Sequence, residues 1–349
     1  MMTINEIKNL VRPSVMALKP YSSARDEFKE FDKDLIFLDA NENPFTNGLN
    51  RYPDPQQTKL KERLSELKGA SVSNILLGNG SDEVLDLLIR AFCEPNQDEI
   101  LILPPTYGMY QVLAEVNNVK LKAVNLSEEF QLRVENILNS VSEDTKILFI
   151  CSPNNPSGNS LNSRDIESLL QQFKGLVVID EAYIDFSSQA SWLNRLQEFP
   201  NLVITQTLSK AYGLAGIRLG ICYSSEFIIS TLNKIKPPYN INELTQQKAL
   251  EQLNSTEVFK TQVQQILTER NVLERELGSI AYISEIYPSD ANFILVKVDD
   301  TTKRYNQLIQ KGIVVRNRSN QVLCENCLRI TVGTTEENTN LILALKSIK

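Results

Sequence analysis

The sequence predicts an α/β protein built as a large domain with a mostly parallel, helix-covered sheet and a smaller α+β domain, on three observations. At 349 residues the chain exceeds what one hydrophobic core usually serves, so a large domain of roughly 200 to 250 residues and a smaller companion are expected. Short apolar runs alternate with helical stretches: Ile100–Leu103, Val119–Val124, Ile147–Cys151, Leu176–Ile179, Leu202–Thr205 and Leu219–Tyr223. Strands that are apolar throughout and separated by helices pair in parallel with both faces covered. The pattern changes after Pro237-Pro238.

In chain order, residues 1–50 read as an irregular arm, punctuated by Asn41-Glu-Asn-Pro44 and followed by Arg51-Tyr-Pro53. Residues 51–240 make the large domain. Leu60, Leu64 and Leu67 have helical spacing, and Val84, Leu85, Leu88 and Phe92 mark a second amphipathic helix that Ser81 or Asp82 can cap. Residues 241–349 make the small domain: a polar helical region from about Asn242 to Gly278, strands at Phe293–Val298, Ile313–Arg316 and Leu328–Val332, and a helix near Tyr305–Gln310.

Hydrophobic residues at 42% and charged residues at 23% are ordinary globular values. A net charge of −7, with scattered Lys and Arg, leaves no electrostatic footprint for nucleic acid or an anionic membrane. Met1–Leu10 lacks the apolar stretch of a signal peptide and no run approaches a membrane span, so a cytoplasmic protein is expected. Five cysteines without dense, even spacing suit a reducing compartment. Cys324 and Cys327 form a CxxC, but no second ligand pair accompanies it and a structural pair is the preferred reading over zinc. The chain contains no histidine. Ser-His-Asp triads, Cys-His nucleophiles and His-liganded metals are excluded together, which leaves acid and base work to Lys, Tyr, Asp, Glu or Cys.

The segment Thr207-Leu-Ser-Lys-Ala-Tyr-Gly-Leu-Ala-Gly-Ile-Arg218 follows a predicted strand. Desolvating Lys210 there disfavours its ammonium form and leaves a neutral amine able to condense with an aldehyde. Ser209 and Arg218 suit a phosphate monoester. Gly78-Asn-Gly-Ser-Asp-Glu83 turns into a helix whose free N–H groups near Gly80 and Ser81 form an anion site, without the third glycine of a dinucleotide fingerprint. Asp180 ends a strand, where a buried carboxylate needs a positive partner such as a protonated pyridine nitrogen. The prolines of Cys151-Ser-Pro-Asn-Asn-Pro-Ser-Gly158 fix a rigid loop that aims the Asn155 amide. In Pro104-Pro-Thr-Tyr-Gly-Met-Tyr110, Tyr107 is placed to lay its ring on a flat cofactor. Singly, each of these has a bland explanation; four post-strand loops carrying a ring, an amide, a carboxylate and a lysine do not.

With these residues in view, the chain resembles the histidinol-phosphate aminotransferases, fold-type I pyridoxal-phosphate enzymes, along nearly its whole length. The resemblance rests on Ser152-Pro-Asn-Asn-Pro-Ser-Gly158, Asp180-Glu-Ala-Tyr183, Ser209-Lys-Ala-Tyr-Gly-Leu-Ala-Gly-Ile-Arg218 and Leu328-Arg-Ile-Thr-Val-Gly-Thr334, with Pro20-Tyr-Ser-Ser-Ala-Arg25 and Arg51-Tyr-Pro53 in support. It implies a seven-stranded sheet in the large domain and pyridoxal 5'-phosphate held covalently by Lys210. It further implies Asp180 against the pyridine nitrogen, Tyr183 and Asn155 on the ring oxygen, and Tyr107 on the ring face. Gly80, Ser81, Asp82, Ser209 and Arg218 would surround the phosphate, with Thr207 as a further ligand where many relatives carry serine. Ser157 replaces the commoner threonine, hydroxyl for hydroxyl. The family builds its site across a homodimer, which implies that Tyr52 comes from a second copy and that the arm joins both the small domain and the partner. Tyr21, Asn43, Arg316 and Arg329 would line the substrate end. The implied reaction moves an amino group between L-histidinol phosphate and 2-oxoglutarate, a step of histidine biosynthesis. A phosphoamino-acid decarboxylase or an aromatic amino-acid aminotransferase of the same fold would share most of these cofactor residues.

Overall fold

The structure, a computed structural model, describes residues 2–21 and 36–348; Arg25 and the rest of its stretch of the arm lie outside these residues. Seven strands form one sheet: β1 (Ile75–Asn79), β2 (Glu99–Ile102), β3 (Lys120–Ala123), β4 (Thr145–Cys151), β5 (Leu176–Asp180), β6 (Leu202–Thr207) and β7 (Leu219–Ser224). Their order is β1-β7-β6-β5-β4-β2-β3. All run the same way except β7, which is antiparallel to both of its neighbours.

The apolar runs are continuous because both faces are covered. Ile147, Phe149 and Cys151 of β4, with Leu176 and Val178 of β5, pack under the helix Ser81–Phe92 and its neighbours. The alternate residues Leu148, Ile150, Val177 and Ile179 belong to the core on the other face. A strand's side chains alternate sides, so two cores sharing one strand demand apolar residues at every position.

β1 is a strand that the sequence pattern conceals. Only Ile75, Leu76 and Leu77 are apolar before Gly78-Asn79-Gly80, so the segment reads as a turn. It pairs with β7 through Gly220, where an added Cβ would lie 2.3 Å from the Ser81 nitrogen. Gly220 thus lets the turn between β1 and the following helix sit directly on the sheet.

The second sheet is wholly antiparallel. It contains β8 (Ile283–Ile286), β9 (Phe293–Val298), β10 (Arg316–Asn317) and β11 (Cys327–Thr331) in the order β10-β11-β9-β8. Leu273, Leu277, Leu308, Leu341 and Leu345, from helices Thr256–Leu277, Thr301–Gln310 and Thr335–Ser347, bury one of its faces. The polar region read as one helical stretch is two helices, Glu243–Leu253 and Thr256–Leu277. Ser255 leaves helical geometry between them, and the first helix buries Ala249 and Leu253 in the core of the large sheet. The strand expected at Ile313–Arg316 begins only at Arg316, because the Ile313 amide closes the preceding helix on the Leu308 carbonyl after Gly312 turns the chain at φ +79°. Among the described residues no helix is long and apolar enough to cross a membrane.

Candidate active site

Parallel strands bring their carboxyl ends to one edge of a sheet, where α/β folds gather ligands. Here the loops after β1, β2, β4, β5 and β6 meet at that edge. β7 runs the other way, so the residue before it, Arg218, arrives there too. Together they line a cavity of about 550 Å³ that Arg316, Arg318, Gln321 and Arg329 close from the small sheet.

At the centre, Asp180 is buried. Burial pushes its carboxyl above the usual carboxylate range, against the opposing pull of the Tyr110 hydroxyl and the Ala182 amide. Tyr110 donates to Asp180 at 2.8 Å, and its ring stacks on Phe149 with centroids 4.8 Å apart. Tyr110 is a residue the sequence reading passed over. It lies three positions beyond Tyr107 at the entry to the helix Met109–Val116, a spacing that places both rings on one side; they meet edge to face at 5.6 Å.

Lys210 lies on the loop after β6 with its Nζ 5.6 Å from the centre of the Tyr183 ring. Burial, then the neighbouring Arg329 charge, lowers its pKa, while Asp180 works in the opposite direction. An amine held in this way is biased toward its nucleophilic form. Beside it, Asn155 donates to the Tyr183 hydroxyl at 3.5 Å, and Arg329 donates to the Asn155 carbonyl. Tyr183 is buried edge-on against Phe293 at 5.1 Å.

The anion corner can be tested against a phosphate monoester. The Ser209 hydroxyl is buried and has no partner among the described residues. The helix Ser81–Phe92 starts at Gly80 with no side chain capping its first N–H groups. Arg218 is held in the left-handed region at φ 56°, its carbonyl accepting from the Gly80 amide at 2.9 Å. A buried hydroxyl donor, an uncapped helix start and a guanidinium are the groups that a phosphate satisfies. The site fits the group. Two roles are refined: Asp82 accepts from Tyr107 at 3.0 Å and faces Arg218 at 3.7 Å, so only its main-chain N–H suits an anion. Thr207 spends its hydroxyl bridging the loop, donating to the Leu219 carbonyl at 3.2 Å and accepting from the Ser209 amide at 3.1 Å.

Gly80 has φ 80° and ψ 164°, a region reserved for glycine, and an added Cβ would stand 2.6 Å from the Arg218 guanidinium. Gly80→Ala is therefore expected to destabilise the fold by about 1–3 kcal/mol and to displace Arg218 from the corner. Thermal unfolding and titration with pyridoxal phosphate check both effects; an unchanged cofactor affinity would remove Arg218 from the anion site.

Arg316 and Arg329 are directly paired across β10 and β11, so both project to one face. Tyr21, Asn43 and Tyr52 are not brought to the cavity within one chain. Tyr21 is 76% exposed. Asn43 closes its own turn by accepting from the Phe45 amide, and Tyr52 stacks on Tyr239 at 4.5 Å. Cys324 and Cys327 are buried, and the Cys327 amide donates to the Cys324 carbonyl at 3.0 Å.

Comparison with known proteins agrees with this geometry. Residues 34–345 match the aminotransferase class I and II family. A protein of Flavobacterium johnsoniae named histidinol-phosphate aminotransferase is 62% identical over 342 residues, covering 98% of each chain. The solved histidinol-phosphate aminotransferase of Clostridium acetobutylicum superposes with a TM-score of 0.80 at 26% identity, covering 86% of this chain and 91% of that one. The Sinorhizobium meliloti histidinol-phosphate aminotransferase, solved in complex with pyridoxal-5'-phosphate, shares the fold with a TM-score of 0.79 at 23% identity, over 85% of this chain and 83% of that one. A cavity holding a desolvated lysine, a buried carboxylate and an unfilled anion corner, in a chain so close to these relatives, belongs to the aminotransferase class I and II family.

Proposed function

We propose that this chain transfers the amino group of L-histidinol phosphate to 2-oxoglutarate with pyridoxal phosphate as cofactor, a step of histidine biosynthesis. The convergence of Lys210, Asp180 and the Ser209–Arg218 corner in one cavity carries the reading. When bound, pyridoxal phosphate supplies an aldehyde that takes up amino groups and a ring that withdraws electrons from the substrate's α-carbon. Ser209, Arg218 and the main chain at Gly80, Ser81 and Asp82 hold its phosphate. Asp180 keeps the ring nitrogen protonated, and Tyr110 orients that carboxylate. Asn155 and Tyr183 take the ring oxygen, while Tyr107 covers one face. Lys210 holds the aldehyde carbon covalently at rest; once displaced, its neutral amine removes the α-proton and returns it to the cofactor carbon. That shuttle needs a single base within reach of both atoms.

Arg329 and Arg316 receive the substrate's anionic groups, since a guanidinium fork pairs with phosphate and carboxylate alike. Tyr21 and Asn43 belong to the same end. The protein works as a homodimer in the cytoplasm, and a second copy contributes Tyr52 toward the cofactor phosphate.

The test is direct. Purified protein with pyridoxal phosphate, histidinol phosphate and 2-oxoglutarate is expected to form glutamate stoichiometrically with the ketone. Release of carbon dioxide from a phosphorylated amino acid, without glutamate, would replace this reading with a decarboxylase.

A further inference from the structure

The substrate end of the cavity carries a third guanidinium. Arg318 lies two residues beyond Arg316, and its amide donates to the Cys327 carbonyl at 2.9 Å, so the ladder between β10 and β11 continues through it. Residues two apart on a strand share a face. Arg316, Arg318 and Arg329 accordingly all line the one cavity.

Three guanidinium groups so placed repel one another, and like charges directly opposite on paired strands destabilise a sheet. Among the described residues, no carboxylate pairs with any of the three. Arg329 is partly committed to Asn155. The Nε of Arg318 is buried with no partner. Burial, with Arg329 and Arg316 nearby, lowers the Arg318 pKa to about 10, which still leaves it charged at neutral pH.

One carboxylate neutralises one of these cations. A phosphate monoester carries close to two negative charges at neutral pH and offers three acceptor oxygens, enough to occupy two forks. We propose that Arg318 is a specificity-determining residue that makes the site favour a phosphorylated amine over a carboxylate substrate, by binding the phosphate alongside Arg316 and Arg329. The assignment rests on the functional reading above and goes further in dividing the cations: two suffice for the carboxylates of glutamate, and the third serves the dianion.

The experiment compares parent, Arg318→Gln and Arg318→Lys holoenzymes on histidinol phosphate and on glutamate. In Arg318→Gln, kcat/KM for histidinol phosphate is expected to fall about 10- to 100-fold, the scale of a lost charge-assisted fork, mainly through KM. The glutamate half-reaction should fall less than about threefold, and the lysine variant should recover part of the loss because it restores charge without the fork. Inorganic phosphate, used as a competitive inhibitor, should lose affinity in parallel. The melting temperature should hold or rise, since an uncompensated cation has been removed; a merely structural arginine would lower it and leave the KM ratio alone. Equal losses on both substrates, or none, overturn the assignment. A parent enzyme inactive on histidinol phosphate overturns the functional reading and this assignment with it, whereas an active parent with an indifferent variant overturns only the role of Arg318.

Discussion

Lys210→Ala is expected to lose amino-group transfer by about 10⁴-fold, the upper end of what one positioned base contributes. Lysine performs two tasks on one amine: it holds the cofactor covalently at rest and moves a proton once released. Its surroundings suit both. Burial and the Arg329 charge bias the amine toward its neutral form, while Asp180 limits that bias. The Tyr183 ring stands 5.6 Å away and restricts the directions open to Nζ. Two measurements separate the tasks. Borohydride reduction of the parent should add the cofactor's mass to the peptide containing Lys210, and the variant peptide should gain nothing. Small primary amines in the medium should restore a fraction of the lost rate, rising with their basicity, because they enter the space that the side chain vacates. A variant turning over within tenfold of the parent would remove Lys210 from the chemistry altogether.

How much of this was legible without coordinates depends on the range over which each feature is specified. β2, β4, β5, β6 and β7 stand out because two cores demand apolar residues at every position. The loops that follow them announce themselves through prolines, glycines and polar residues placed where a strand has just ended. β8, Ile283-Ser-Glu-Ile286, is half exposed and short, so neither a continuous apolar run nor a clean alternation marks it. Tyr110 was passed over since a buried tyrosine resembles any core aromatic until its hydroxyl is seen on Asp180. Arg318 escaped for another reason: its meaning comes from the pairing of Arg316 with Arg329, thirteen positions apart in sequence, and an arginine on a short edge strand reads as a surface residue. The arm residues Tyr21, Asn43 and Tyr52 came only from resemblance, and nothing within one chain draws them to the cavity.

The second large effect concerns Asp180→Asn, for which turnover and stability should move in opposite directions. The substitution keeps the shape and an oxygen for the Tyr110 hydroxyl, but it removes the charge that holds the ring nitrogen protonated, and kcat should fall about 10²- to 10³-fold or more. The covalent link at Lys210 should survive, so cofactor absorbance is retained. Without cofactor the carboxylate is a cost, because it is buried with no cation beside it and burial raises its pKa above 3.8. Across the window above that value the folded state holds a proton more tightly than the unfolded chain does. Stability therefore falls as pH rises through the window, the opposite of a salt-bridged aspartate. Asparagine has no such titration. The cofactor-free variant should match the parent near pH 4 and become the more stable of the two toward pH 8, with the loss of one donor contact, the Ala182 amide, subtracting a constant amount. Melting temperatures of both cofactor-free proteins across that range read the difference. A gap that stays flat with pH would mean that Asp180 is already compensated in the empty protein, and that its acidity is not reserved for a cationic ring.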